Sequence, residues 1–134
     1  MAKIEMEYKG SLQTSLKHGG SGELISTDAP VDNNGKGRCF SPTDMVAGAY
    51  LSCMMTIIGI FCNQNKIELL NARGSVDKIM GDAPRRIVGL TIVLDLQGHD
   101  WDEKTQERIK HVALNCPVAK SVHPGMNIKA TFKF

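Results

Sequence analysis

The sequence is poor in aromatic residues and in clustered positive charge. Aromatic side chains make up 5% of the chain, and its formal net charge of +2 is spread along its length. Proteins that bind nucleic acid present grouped Lys and Arg, and those that bind single strands add aromatic rings on which bases stack. The sequence therefore argues against a nucleic-acid partner.

The residue spacings of the common metal and catalytic sites are also missing. No CxxC or HxxxH pair is present and the four His are scattered, so we predict no metal and no other cofactor. Ser52 lacks the GxSxG context of a hydrolase nucleophile. The GKG of residues 35–37 lacks the leading Gly and the following Ser or Thr of a phosphate-binding loop.

The N-terminal residues contain no apolar core of the signal-peptide type, so we expect a cytoplasmic protein. In a reducing compartment, Cys residues are more often free, catalytic or redox-active than structural. The chain of 134 residues is long enough for one sizeable core, which predicts a single domain over residues 1–134.

One long apolar helix is predicted from Ser41 to Cys62. Ser41 is a good N-cap, Pro42 suits the first helical position, and Asp44 completes a capping box with Ser41. Residues 45–62 carry no charge, which predicts burial on every side of the helix. A membrane span is the alternative for such a run. The run contains Gly and small polar residues and has no basic flank. These features favour the central core helix of a soluble domain that does not bind a membrane.

Alternating and helical patterns predict the elements around this helix. Three strands precede it, over residues 3–9, 11–18 and 23–27, and residues 28–40 form a loop. A hairpin of residues 66–80 and 85–96 follows, with a second helix over residues 100–115 and a closing strand over 127–134. Cys116 ends the apolar stripe of the second helix, and Pro117 kinks that helix or starts a new one with Cys116 near its N-cap.

Two of the four thiols occupy special places. Cys53 lies inside the apolar helix and Cys116 lies at the kink. A helix start lowers a thiol pKa and apolar burial raises it, so the sequence favours a reactive Cys116 and leaves Cys53 in need of a cation. Alternatively, both are small buried hydrophobes. Cys39 and Cys62 are interpreted as incidental, since Cys62 points to nearly the opposite face of the helix from Cys53.

The segments SPTDMVAGAYLSC and NCPVAKSVHPGM together resemble the OsmC/Ohr family of thiol-dependent peroxidases and their OsmC-like relatives. The matching positions are Pro42, Asp44, Cys53, Cys116 and Pro117. The resemblance implies an α+β fold with antiparallel sheets wrapped around two central helices in an intertwined homodimer. It also implies that the thiolate of Cys53 attacks an organic hydroperoxide, that Cys116 resolves the product as a disulfide, and that a dithiol reductant regenerates the pair.

Two departures from the family pattern concern the groups that support the thiolate. The usual Glu after the helix Pro is replaced by Thr43, and the acid appears one place later as Asp44. Arg38 is the candidate for the family Arg beside Cys53. These departures leave open a second function, in which the chain binds an apolar ligand or acts as a redox-sensing dimer without catalysis.

Overall fold

The computed structural model describes residues 3–134; Met1 and Ala2, which the predicted single domain includes, lie outside the described residues. The chain forms two compact units, Met1–Val46 and Ala47–Phe134. The single domain over residues 1–134 stays a prediction. The elements are β1 (Ile4–Gly10), β2 (Gln13–His18), β3 (Leu24–Asp28), a 3₁₀ turn (Val31–Asn33), α1 (Pro42–Gln64), β4 (Arg73–Gly81), β5 (Arg86–Asp95), α2 (Glu103–Leu114) and β6 (Asn127–Lys133).

The first unit contains the predicted antiparallel meander. Strand β2 pairs with both β1 and β3, and Met6, Leu16 and Ile25 stand side by side in register. The alternation of β1 predicts a half-buried strand. In the single chain this prediction is wrong, because the apolar face of the strand is exposed. Ile4, Met6 and Tyr8 remain 67%, 61% and 59% exposed. Alternation fixes which side chains share a face, but it does not supply a layer to cover that face.

Helix α1 begins with the predicted capping box. The backbone N–H of Asp44 donates to Ser41 Oγ at 3.0 Å, and the N–H of Ser41 donates to Asp44 Oδ2 at 2.9 Å. The sequence predicts that α1 is buried on every side. In the single chain this prediction is wrong, because one side of the helix is exposed. Met54 and Ile58 are fully buried, whereas Val46 and Ile60 are 39% and 45% exposed. An uncharged helix can therefore keep one open stripe.

The second unit contains a mixed sheet of order β4-β5-β6. The predicted hairpin of β4 and β5 is antiparallel, but β6 runs parallel to β5, so the expectation of purely antiparallel sheets is wrong here. The physical reason is that a chain segment long enough to hold α2 joins these two strands, and such a crossover delivers a parallel strand. Leu90, Ile92 and Leu94 of β5 are fully buried in the core.

The extended segment predicted over residues 66–80 forms a strand only from Arg73 onward. The register of β4 against β5 shifts between Ile79 and Met80. Helix α2 is capped by Asp102, whose carboxylate accepts the N–H of Thr105 at 2.8 Å. Its Ile109 and Ala113 are fully buried, as the spacing predicts.

A histidine clip, formed by the His99 ring, joins the connection after α1 to the connection after β5. The backbone N–H of Leu70 donates to His99 Nε2 at 2.8 Å, and His99 Nδ1 donates to the carbonyl oxygen of Leu96 at 2.6 Å. The ring stacks on Trp101 with centroids 4.0 Å apart. A carbonyl can only accept, so the two bonds together define the neutral ring with its proton on Nδ1.

Candidate thiol site

Cys53 lies in the middle of α1 and is half-buried. Two of its helix neighbours are buried: Met54 fully, and Tyr50, one turn earlier, with 3% of its surface exposed. Residues three apart on a helix lie on the same side, so the Tyr50 and Cys53 side chains are adjacent. Cys53 itself packs against the hydrophobic core.

Cys116 follows α2 and is fully buried. Its carbonyl oxygen accepts the N–H of Lys120 at 3.1 Å, and the N–H of Ala119 donates to its sulfur at 3.5 Å. These contacts put Cys116 directly before Pro117, at the start of a new helical turn. This is the position that the sequence predicts. Pro117 permits this arrangement because the first residue of a helical turn needs no backbone donor.

The structure brings these two thiols together. The side chains of Cys53 and Cys116 interact electrostatically, although 116 − 53 = 63 positions separate them in the chain. Burial is the first cause that raises the pKa of Cys116, and its interaction with the Cys53 side chain raises it further. The backbone N–H groups of Ala119 and Val118 lower it, as expected at a helix start, but burial outweighs them. Cys116 therefore keeps its proton at neutral pH.

Tyr50 is a third polar group in this cluster, and the sequence reasoning missed it. Burial raises the pKa of its phenol, and the charge of Cys116 raises it further. Tyr50 and Cys116 belong to the same buried core. The signal was available, because Tyr50 precedes Cys53 by one helical turn.

Arg38, the predicted cation, forms an ion pair within the first unit. Its Nε donates to Asp28 Oδ2 at 2.7 Å, and its backbone N–H donates to the same oxygen at 3.0 Å. Asp28 is fully buried, and its other oxygen, Oδ1, has no hydrogen-bond partner among residues 3–134. These hydrogen bonds hold the pKa of Asp28 below its ordinary value and raise that of Arg38. A role for Arg38 beside Cys53 stays a prediction.

Asp44, the second supporting residue, has the capping role that its position favours. Its carboxylate accepts the N–H of Ser41, and the Ser41 hydroxyl contacts Thr43 Oγ1 at 3.2 Å. Both residues that the sequence offered as partners of the thiolate thus have a structural partner of their own.

The other two cysteines have environments of their own. Cys62 is fully buried in the core, and burial raises its thiol pKa. Cys39 is exposed, and its thiol donates to the carbonyl oxygen of Ser26 at 3.5 Å. Within residues 3–134, no group of three or more His, Cys, Asp or Glu is arranged to hold a metal ion.

Comparison with known proteins decides the family. The family model described as "OsmC-like protein" matches residues 35–131. The chain belongs to the OsmC family. Compared by sequence with proteins of curated function, this OsmC-family chain has no significant match.

Solved structures share the OsmC-like fold. A protein of Psychrobacter arcticus 273-4, named for an osmotic stress and detoxification response, is 42% identical with a TM-score of 0.92, over 98% of this chain and 96% of that one. The organic hydroperoxide resistance protein OhrB of Bacillus subtilis is 18% identical with a TM-score of 0.70, over 99% and 98% of the two chains. OsmC of Legionella pneumophila is 16% identical with a TM-score of 0.76, over 100% and 97%.

The apolar helix α1 is long and hydrophobic enough to cross a membrane, with a mean hydropathy of 1.9. The core helix of a soluble protein meets the same criteria. Because Met54, Ile58 and Cys62 are fully buried against their own unit, α1 is a core helix of the soluble OsmC-like fold.

Proposed function

We propose that this OsmC-family protein is a thiol-dependent peroxidase that reduces organic hydroperoxides. The observation that carries the proposal is the electrostatic interaction between Cys53 and Cys116, whose positions are remote in the chain. Two incidental thiols have no reason to meet in this way, whereas a peroxidatic and a resolving thiol must meet. The family membership supports the same reading, and Cys53 and Cys116 are the proposed catalytic residues.

The proposed reaction balances with the groups of this pair. The Cys53 thiolate attacks the terminal oxygen of the hydroperoxide, the O–O bond breaks, and Cys53 becomes a sulfenic acid. The alkoxide that leaves takes the proton of Cys116, which gives an alcohol and a Cys116 thiolate. That thiolate attacks the Cys53 sulfur, the S–O bond breaks, and the hydroxide that leaves becomes water by taking up the proton that the Cys53 thiol released to solvent when it ionised. A dithiol reductant then reduces the disulfide by exchange.

An organic substrate fits the apolar residues around Cys53. Met54 is fully buried, and Met55 and Ile57 pack against the core on the same helix. Apolar walls favour an alkyl or aryl group over water and over the small polar molecule hydrogen peroxide. OhrB of Bacillus subtilis and OsmC of Legionella pneumophila are both described as organic hydroperoxide resistance proteins.

A second copy of the chain is the proposed partner, in an intertwined cytoplasmic homodimer. The apolar face of the first sheet and the Val46–Ile60 stripe of α1 both stay exposed in the single chain. A groove of about 360 Å³ on this sheet is lined by Ile4, Leu16 and Ile25. Exposed apolar surface of this kind marks protein interfaces.

A non-catalytic role is the second candidate, and one observation favours it. Arg38 is paired with Asp28, and Asp44 caps α1. If both stay so engaged, the Cys53 thiolate has no cation and no acid to support it. The chain would then bind an apolar ligand or sense the redox state as a dimer.

Mass spectrometry after one equivalent of cumene hydroperoxide tests the peroxidase proposal. We expect a disulfide between Cys53 and Cys116, and multiple turnover when a dithiol reductant is added. Cys53→Ser should abolish both, and Cys116→Ser should stop at a sulfenic acid that dimedone traps. The matched controls Cys39→Ser and Cys62→Ala should retain the disulfide.

The two candidates give opposite results in the same assay. Free thiols at Cys53 and Cys116 after the equivalent of hydroperoxide would refute the peroxidase and leave the binding role. Turnover that is lost in Cys53→Ser would exclude the non-catalytic role.

A further inference from the structure

A groove of about 400 Å³ lies between α1 and α2. It is lined by Phe61 of α1 and by Lys104, Glu107, Arg108, His111 and Val112 of α2. The two thiols are not among these residues, and neither are the exposed apolar surfaces that we assign to the homodimer. Sites for small organic ligands are concave, start at about 300 Å³ and combine apolar walls with a few polar groups that orient the ligand. The groove therefore has the size of a ligand site.

Three basic side chains form one wall of the groove. Lys104, Arg108 and His111 follow one another at spacings of four and three residues, so they share one face of α2. All three are exposed. Within residues 3–134, neither Lys104 nor Arg108 forms an ion pair with a carboxylate. This wall therefore carries positive charge that the described chain does not pair.

The acidic groups nearby are already engaged. The carboxylate of Glu107, which also lines the groove, lies 3.1 Å from Lys110 Nζ on the same helix. Asp102 is the helix cap: its hydrogen bonds with Thr105 lower its pKa first, and the charge of Lys104 lowers it further. Because Glu107 is paired with a lysine outside the groove, the charge that the groove presents is positive.

Phe61 forms the apolar floor of the groove and holds Arg108 in place. The ring is 8% exposed, and Arg108 Cζ lies 4.8 Å from its centroid. Arg108 Nη2 also donates to Asn65 Oδ1 at 3.2 Å. A guanidinium has five N–H donors, so one hydrogen bond to a neutral amide leaves its charge and most of its donors available. A side chain that is fixed before the ligand arrives loses less entropy on binding.

We propose that this groove binds an organic anion with an apolar body, specifically a carboxylate that carries an alkyl chain of medium length. The carboxylate accepts hydrogen bonds from Arg108 and Lys104, and the alkyl chain covers Phe61 and Val112. Charge-assisted hydrogen bonds to a carboxylate are stronger than those between neutral groups. The chain adds affinity by removing apolar surface from water. The inference does not depend on the proposed peroxidase function, because its residues take no part in the thiol reaction.

Titration of the reduced full chain with octanoate tests the proposal. NMR of ¹³C-methyl-labelled valine reports on the site, because Val112 lines the groove. We expect a saturable shift of the Val112 methyl signals, and an affinity that falls roughly two- to fourfold for each CH₂ removed on going to hexanoate. 1-Octanol keeps the chain and lacks the charge, so it should bind about tenfold more weakly than octanoate.

Substitutions separate the charge of the groove from its apolar floor. Arg108→Gln should weaken octanoate binding about tenfold and change 1-octanol binding little. Lys129→Gln is the matched control: it removes the same charge from an exposed position on β6 and should leave the Kd unchanged. If Arg108→Gln fails to fold, Lys104→Gln provides the same test at another exposed position of the basic wall.

The proposal is overturned if 1-octanol binds as tightly as octanoate, or if the Val112 methyl signals do not respond. It is also overturned if the folded variants of the basic wall keep the Kd of Lys129→Gln. The hydroperoxide assay decides the thiol chemistry separately, so either proposal can fail while the other holds.

Discussion

Removing the histidine clip should loosen the two connections that it joins. The His99 ring accepts the N–H of Leu70 at 2.8 Å, donates to Leu96 at 2.6 Å and stacks on Trp101. Each hydrogen bond contributes about 1 kcal/mol, and a partly exposed stack adds roughly 0.5–1 kcal/mol. We therefore expect His99→Ala to lower the free energy of unfolding by about 2–3 kcal/mol.

A second variant separates the loss of the two hydrogen bonds from the loss of the ring stack. His99→Phe keeps a ring that can stack on Trp101 but has neither nitrogen. Its expected cost is the two hydrogen bonds alone, about 2 kcal/mol. In both variants the amide of Leu70 loses its acceptor, so its hydrogen exchange should accelerate.

Urea unfolding at a fixed protein concentration measures these values, because dissociation of an oligomer would otherwise contribute. Hydrogen exchange followed by NMR reports the Leu70 amide directly. The reasoning would be refuted if His99→Phe were as stable as the unmodified protein, or if Leu70 kept its protection in His99→Ala.

Three further substitutions test other parts of the structure. Ile58→Ala should cost roughly 2–5 kcal/mol by urea unfolding, because a fully buried side chain leaves a cavity; a cost under that range would contradict the tight core. Ser41→Ala removes one half of the capping box and should cost about 1 kcal/mol, with helix content by circular dichroism as the check. The pKa of Asp28 is lowered in the folded state, so its contribution to stability is present above its ordinary value of 3.8 and disappears as pH falls below it. Asp28→Asn should flatten this acid dependence, and an unchanged slope would exclude the Arg38 ion pair as its source.

Local patterns were sufficient to predict most elements of the fold. The capping box of Ser41 and Asp44 and the stripe that ends at Cys116 are properties of neighbouring residues, so sequence reasoning finds them. What surrounds an element is a tertiary property. The exposed Ile4, the open stripe of α1 and the parallel pairing of β6 depend on layers and crossovers that no local pattern encodes.

In the candidate site, too, local features were predicted from the sequence and tertiary ones were not. The positions of Cys53 and Cys116 were predicted from their elements, and their pairing was implied only by the family resemblance. The direction of the Cys116 pKa was misjudged, because the helix start is visible in sequence while the degree of burial is not. The hydrogen bond of Arg38 to Asp28 joins residues on a strand and a loop, and no spacing rule predicts it.

The parallel β6 has a consequence for the order in which the protein is made. Cys53 is translated 116 − 53 = 63 residues before Cys116, a delay of about 3–13 s at roughly 5–20 residues per second. The crossover that carries Cys116 is anchored only when β6, still later in the chain, adds to the sheet. A nascent polypeptide on the ribosome therefore holds Cys53 before Cys116 exists, and the proposed disulfide would form only after synthesis has passed the last strand.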